Sequence, residues 1–341
     1  MADMWSVCAN PTFCLDLWPD SQIAWERPGS SSIRRFRLEN CSGAMDFVNV
    51  TAVYSPYWPV TLWNLNTGQP LQNPINMSGS AYIEIGVSVM PWPNEPPGST
   101  HVLTLTATSA NNPAVSATSV LTTRVPYPVL VVDDDRSAPD VETVYTTALA
   151  DNAIAFDLWD TDALGRVTAN ALNYHRAVVW FTGQHRVDTL TIQDERNLAT
   201  YLRYGGQLFL SSQDYLYDVG RDDFNRAYLR VAAYRDDLGT FLVQGVAGNP
   251  VSGGLLGSYP LSPTATLADE FFPLSPAQQA FRSHTSFPNG LTYDNGTSRL
   301  LFVGWPFENL ARTDAQAVMA ATMRWFGIYN RVYLPVILRG G

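Results

Sequence analysis

The sequence predicts a two-domain chain: an all-β sandwich followed by an α/β domain with a mainly parallel sheet. Three observations carry this. Residues 13 to 125 hold short alternating apolar runs separated by turn clusters, the pattern of strands with one buried face. Residues 129 to 326 alternate compact apolar runs with helical patterns, which is how a parallel sheet covered by helices reads. Between them, Pro126-Tyr127-Pro128 breaks the last strand of the first region, because proline cannot donate to a ladder. The expected divisions are 1–125 for the sandwich, 126–329 for the α/β domain and 330–341 for a β-prone tail. A length of 341 residues suits two domains.

In the first domain, strands are expected at 13–18, 31–39, 47–54, 60–64, 81–89, 101–109 and 115–125. In the second of these, Ile33, Phe36 and Leu38 alternate with arginines. Ala110-Asn111-Asn112-Pro113 forms the turn between the last two. Seven strands in this length suit an immunoglobulin-like sandwich. Aromatic residues are dense here: Trp18, Trp25, Trp58, Trp63 and Trp92, with Tyr54 and Tyr57. They either fill the core and strand ends or form a platform for sugar rings or a protein partner. The loop Tyr54-Ser-Pro-Tyr57-Trp58-Pro is the exposed-patch candidate, with a cell-surface glycan as the partner on the platform reading.

In the second domain, 129–132 is a buried strand running into Asp133-Asp134-Asp135, and 141–151 is helical. Strands follow at 155–159, 177–181, 207–210 and 300–303. Helical patterns lie at 169–173, 192–204, 224–230 and 314–326. Gly205 and Gly206 end the run at 192–204, since glycine enters the left-handed region cheaply. Leu208, Phe209 and Leu210 then read as a strand buried on both faces. Polar Ser211, Ser212, Gln213 and Asp214 follow at its carboxyl end, where ligands collect in an open parallel sheet.

Composition narrows the function. With 46% hydrophobic and 15% charged residues the chain is globular rather than disordered. A formal net charge of -10 argues against nucleic acid. All 21 basic residues are arginine. That removes a Schiff-base lysine, a pyridoxal-phosphate anchor and a phosphate-loop lysine; a biased genome or selection for heat accounts for it. No apolar run approaches the length of about 18 residues that a membrane span needs. Met1 opens no secretory apolar region, so an exported protein would be in mature or trimmed form. Sequons at Asn40, Asn49, Asn76 and Asn295 matter only in a glycosylating host. Cys8, Cys14 and Cys41 lack a paired zinc spacing. One disulfide, Cys14 with Cys41, plus a free thiol would place the protein outside the cytoplasm; three buried reduced thiols are the alternative.

Two resemblances bear on function. The segment from Pro96 to Ser109 resembles immunoglobulin-like modules appended to bacterial secreted glycosidases and peptidases, which act as spacers, adhesive units or assembly units. Residues 128 to 329 resemble the class I glutamine amidotransferase-like fold, a flavodoxin-like α/β arrangement. The resemblance is carried by Val129-Leu-Val-Val-Asp-Asp-Asp135, Val178-Val-Trp-Phe-Thr-Gly183, Gly205 to Asp214, Gly245-Val-Ala-Gly-Asn-Pro250 and Phe302-Val-Gly-Trp-Pro-Phe-Glu308. Active members place a cysteine on the turn after the strand ending at Leu210, and a histidine and glutamate after a later strand. Here the first position reads Ser211-Ser212-Gln213 and the second places Trp305 or Phe307 where histidine belongs, leaving Glu308. The resemblance implies a pseudoenzyme without covalent acyl transfer. A serine hydrolase built from Ser211 or Ser212 with His284, His185 or His175 lacks the strained elbow such a nucleophile needs. Otherwise Ser212 and Gln213 cap the next segment and bond the loops.

Asp133, Asp134 and Asp135, with Asp214 or Asp218, form a candidate Ca²⁺ or Mg²⁺ site, since hard cations take several oxygens. The cluster also resembles the acidic pocket of response-regulator receivers, but the strand ending in Thr182-Gly183 offers no phospho-accepting aspartate. Helix capping and pairing with Arg136 or Arg186 is the structural alternative. In the tail, Val332, Tyr333, Leu334, Val336, Ile337 and Leu338 form a β-prone apolar run, with Pro335 suited to an edge. It either packs on its own chain or adds as a strand to a neighbouring sandwich, linking copies into a filament. Tails resembling Tyr-Leu-Pro-Val-Ile-Leu-Arg recur in secreted proteins of filamentous thermophilic bacteria. The expectation is a non-catalytic, extracellular or cell-surface structural protein that self-associates. The alternative is an accessory carbohydrate- or protein-binding region of a secreted hydrolase.

Overall fold

The computed structural model describes residues 13–137, 139–261 and 267–329. Cys8 and the tail residues Val332, Tyr333, Leu334, Val336, Ile337 and Leu338 lie outside that range. The chain divides into two compact units between Pro126 and Tyr127.

The first unit carries β1 (Leu15–Trp18), β2 (Ser21–Trp25), β3 (Arg34–Asn40), β4 (Asp46–Ser55), β5 (Val60–Asn64), β6 (Gln69–Pro70), β7 (Ile75–Met77), β8 (Tyr82–Val89), β9 (Thr100–Ser109) and β10 (Ser116–Arg124). They form two five-stranded sheets, β1-β3-β8-β5-β6 and β2-β10-β9-β4-β7. Alternation decides which side chains face in. Leu103, Leu105 and Ala107 of β9 and Val48 and Val50 of β4 meet Phe36, Leu38, Ile85 and Val87 of the other sheet in one core. Ten described strands replace the seven expected, because β2, β6 and β7 are too short or too polar to alternate visibly. Cys14 and Cys41 form a disulfide where β1 meets β3. The backbone between them is also bonded, Cys41 N–H donating to Cys14 O at 3.0 Å.

The second unit carries β11 (Val129–Asp133), α1 (Glu142–Ala150), β12 (Phe156–Asp160), α2 (Thr161–Leu164), α3 (Ala169–Asn173), β13 (Ala177–Phe181), α4 (Ile192–Arg203), β14 (Gln207–Ser211) and α5 (Tyr215–Val219). A π-helical turn (Asn225–Leu229) leads to β15 (Val231–Leu238), β16 (Leu242–Gly245), β17 (Ser258–Pro260), β18 (Ala268–Pro273), β19 (Gln278–Ser283), β20 (Pro288–Asp294), β21 (Arg299–Val303), a 3₁₀ turn (Phe307–Asn309) and α6 (Arg312–Trp325). Nine strands make one sheet, β12-β11-β13-β14-β21-β20-β19-β16-β17, and β15 pairs with β18.

The expected mainly parallel sheet is corrected to a mixed one. From β12 to β21 every pairing is parallel. From β21 to β17 every pairing is antiparallel. The antiparallel half comes from residues 212–298, which leave the sheet after β14 and return at its neighbour β21. In the parallel half, Val129, Val131, Val179, Phe181, Phe209 and Leu301 share a core with Tyr145 of α1 and Val318, Met319 and Met323 of α6. The alternate residues Leu130, Val132, Val178, Trp180, Leu208 and Leu210 are also fully buried, so this half is covered on both faces. Capping by Thr191 and Asp194 starts α4. Gly205, at φ +90°, ends its turn, and a side chain at Gly206 would strike the Tyr201 ring.

Candidate functional site

Register along the parallel half brings Asp133, Phe181, Ser211 and Val303 into one row at the carboxyl ends. The ladder continues one residue further. Asp134, Thr182 and Ser212 donate their amides to Phe181, Ser211 and Val303 oxygens at 3.1, 3.2 and 3.1 Å. Alternation sends the two rows to opposite faces, so neighbouring residues of the polar turn do different work.

On the α1 face, the Ser211 hydroxyl lies 3.0 Å from Tyr145 Oη, and Tyr145 Oη lies 2.7 Å from Glu308 Oε2. The Phe307 amide donates to Ser211 Oγ at 3.4 Å. Burial pushes the Glu308 carboxyl above its ordinary range, opposed by the Tyr145 hydrogen bond. Burial, and then the nearby Glu308 charge, raise the Tyr145 phenol. Phe307 packs tilted against Tyr145 and edge-on against Phe209, and Trp305 is fully buried against Phe281. The Ser211 hydroxyl also donates to Trp305 O at 3.4 Å.

On the opposite face, Ser212 Oγ lies 2.7 Å from Thr182 Oγ1. Beyond it, Asp134 accepts from Thr161 Oγ1 at 2.9 Å and pairs with Arg166 at 2.9 Å. Arg166 also pairs with Asp194 at 2.9 Å. Burial lifts Asp134 to about 7, while the Arg166 charge pulls it down. Ser211 and Ser212 are 2% and 1% exposed, which keeps both hydroxyls from solvent. Neither they nor Gln213 caps α5; the capping position is Asp214, whose side chain makes no cap bond.

The imidazoles of His175 and His284 are engaged elsewhere. His175 is buried, with Nε2 3.1 Å from Asp157 Oδ2 and Nδ1 3.2 Å from Ala171 O. His284 packs on Phe241 with ring centroids 4.4 Å apart. The His185 amide donates to Thr182 O at 3.1 Å. Among the described residues, no imidazole hydrogen-bonds Ser211 or Ser212.

The three consecutive aspartates do not form one ligand set, because successive residues turn to different sides. Asp134 faces Arg166. Asp135 accepts from the Ser137 and Val141 amides at 2.6 and 2.7 Å, tying down the loop before α1. Asp133 instead gathers with Asp140 and Glu142, their carboxylate oxygens within 4.8 Å of one another. Burial, followed by the Asp135 charge, lifts Asp133 to about 8. The expected arginine partners are also corrected: Arg136 pairs with Asp188 and Arg186 with Asp214. Arg166, missed in the sequence, stands 32 positions from Asp134 with no local pattern to mark it.

In the first unit the aromatic loop splits. Trp58 is 1% exposed and stacks on the His101 ring at 5.2 Å, so it belongs to the core and not to a binding patch. Tyr57 is 75% exposed, and Tyr54 lies beside it with ring centroids 5.8 Å apart. The Trp92 indole donates to Tyr57 O at 3.0 Å.

No protein-family model matches the chain. No curated protein matches it. Among solved structures it is similar to a chain described as a GMP synthase subunit from Thermoplasma acidophilum, at 11% identity over 59% of this chain and 94% of that one, with a TM-score of 0.44. It is also similar to a PapD-like domain of human CEP192, at 11% identity over 37% of this chain and 94% of that one, TM-score 0.24. A third is the exo-β-1,4-mannosidase Op5Man5 from Opitutaceae bacterium strain TAV5, at 12% identity over 59% of this chain and 35% of that one, TM-score 0.37. Likenesses this distant carry no argument about activity.

Proposed function

We propose that this chain is a non-catalytic, extracellular structural protein whose copies join into a surface assembly through residues 330–341. One observation carries the non-catalytic half. The two serines at the carboxyl edge are buried and bonded to a tyrosine and a threonine, where a nucleophile would need an imidazole and an open approach. The five parallel strands β12-β11-β13-β14-β21, with Glu308 after the last, support reading this unit as a degenerate amidotransferase-like domain. The two-sheet unit is read as an immunoglobulin-like module. The Cys14–Cys41 disulfide supports an oxidising location.

Two experiments test the reading. A fluorophosphonate probe is expected to leave Ser212 unlabelled; labelling would establish a serine hydrolase instead. Electron microscopy of purified protein is expected to show polymers that disappear when 331–341 are deleted. Monomers in the intact protein would refute the assembly. The second reading, an accessory glycan- or protein-binding region, is favoured by exposed Tyr57 and Trp92. Glycan-array binding abolished in Tyr57→Ala would select it.

A further inference from the structure

The strand β4 has one incomplete edge. On one side it pairs with β9 from Val48 to Ser55. On the other it pairs with β7 only from Asp46 to Val48. At Val50 the Asn73 side chain substitutes for a strand, accepting from the Val50 amide at 2.9 Å and donating to its carbonyl at 2.7 Å. The Ala110 amide donates to Phe47 O, so Phe47, Asn49, Thr51, Val53 and Ser55 direct their backbone groups towards β9. Val50, Ala52 and Tyr54 direct theirs outwards. Among the described residues, no hydrogen bond reaches the amides or carbonyls of Ala52 and Tyr54 on that side. The result is an open segment of five residues, Thr51 to Ser55, closed at one end by the Asn73 clamp and at the other by Pro56. Open edges of this kind are templates for an added strand.

We infer that this edge accepts Val332–Leu338 of a second copy of the chain. This rests on the reading that copies join through residues 330–341. Two features match the segment to the edge. The first is hydrogen-bond phase. In an added strand every second residue turns its amide away from the sheet, and Pro335 has no amide to offer. Placing Pro335 in the outward phase puts Leu334 and Val336 opposite Tyr54 and Ala52. An antiparallel addition in line with β7 then gains about four hydrogen bonds, two for each facing residue. The second is side-chain phase. Residues directly opposite each other share a face, so Leu334 and Val336 fall on the side where Ala52 and Tyr54 pack half-buried against the core. Charge agrees: residues 330–341 hold two arginines and no acidic residue, in a chain of net charge -10, so the segment is attracted to a second copy rather than repelled.

The test uses the full chain. Ala52→Pro removes an amide that points away from β9 and blocks the edge without breaking a ladder bond. Alone, this variant is expected to be monomeric by analytical ultracentrifugation, as is the protein deleted for 331–341. Mixed, the first supplies the segment and the second the edge, and they are expected to form a one-to-one pair and stop. Hydrogen exchange on the unaltered protein gives a reading that needs no variant. The amides of Ala52 and Tyr54 are expected to be protected at least about tenfold in the assembled protein relative to the deletion. Polymers that persist in Ala52→Pro, together with exchange at Ala52 and Tyr54 of the unaltered protein that assembly leaves unchanged, would overturn this edge while leaving the assembly reading intact. Protected amides in a monomer would show the segment folded on its own chain and overturn the proposal. An intact protein that never polymerises would refute the assembly reading itself.

Discussion

Tyr145 Oη and Glu308 Oε2, 163 positions apart in the chain, stand 2.7 Å from one another beneath the carboxyl edge of the sheet. The contact joins α1 to the turn after β21, and the Ser211 hydroxyl completes it from β14. Removing the phenol in Tyr145→Phe leaves two buried groups without their partner. A loss of about 1–3 kcal/mol is expected, read as a lower denaturant midpoint with an unchanged slope. A neutral result would mean that the three groups are only neighbours.

Arg166 stands between Asp134 and Asp194, both almost wholly buried. Arg166→Leu leaves two carboxylates facing each other without their cation. The expected cost is about 3 kcal/mol or more, measured by urea unfolding at pH 7. The loss should shrink as pH falls from about 8 to 5, because Asp134, lifted to about 7, takes up its proton in that window.

Glu195 of α4 accepts from the Tyr215 hydroxyl at 2.9 Å. Burial, with Asp222 close by, lifts its carboxyl from 4.5 to about 8. Above pH 4.5 the unfolded chain releases this proton while the folded protein keeps it until about pH 8. The folded state therefore binds more protons across that window, and stability falls as pH rises through it. Glu195→Gln keeps an acceptor for Tyr215 without titrating. Its stability is expected to fall less steeply between pH 5 and 8, and an unchanged slope would refute the assignment.

The Cys14–Cys41 bridge spans 27 positions at the start of the first unit. Replacing both cysteines by serine is expected to cost about 2–4 kcal/mol, with the same loss on reduction of the unaltered protein. Calorimetry with and without reductant checks it.

Trp58 and Tyr57 are adjacent but opposite in environment. Trp58→Ala opens a core cavity and is expected to cost about 3–5 kcal/mol. Tyr57→Ala should stay within about 0.5 kcal/mol. A glycan-binding loss in Trp58→Ala would therefore report unfolding, whereas one in Tyr57→Ala would report contact. Thermal melts alongside the binding assay separate the two.

What could be read in the sequence followed burial on both faces. Ala177 to Phe181 and Leu208 to Leu210 are unbroken apolar runs, and they form strands buried throughout. The long sandwich strands were legible from the alternation of residues such as Leu103, Leu105 and Ala107. Residues 231–294 were not legible. There β15 carries Arg235 and Asp236 beside its apolar positions and is bulged in register, and glycines and prolines interrupt the rest, so neither period appears. The site shows the same divide. The polar turn after Leu210 stands out because it follows an apolar strand. Tyr145, Thr182 and Arg166, which bond that turn or the aspartate beside it, carry no local mark, because their partners are set by the register of the sheet. Trp58 misled for a related reason: a proline-rich loop has no period, so nothing showed which aromatic ring turned inward.

The excursion of residues 212–298 between neighbouring strands has a consequence for biosynthesis. On the ribosome, β14 emerges with only one of its two neighbours made, and β21 follows nearly ninety residues later. At roughly 5–20 residues per second that delay is on the order of 5–20 s. Throughout it, the Leu208–Leu210 edge lies bare in the nascent chain. The newborn protein therefore passes through an adhesive interval, and closing the sheet at β21 ends it.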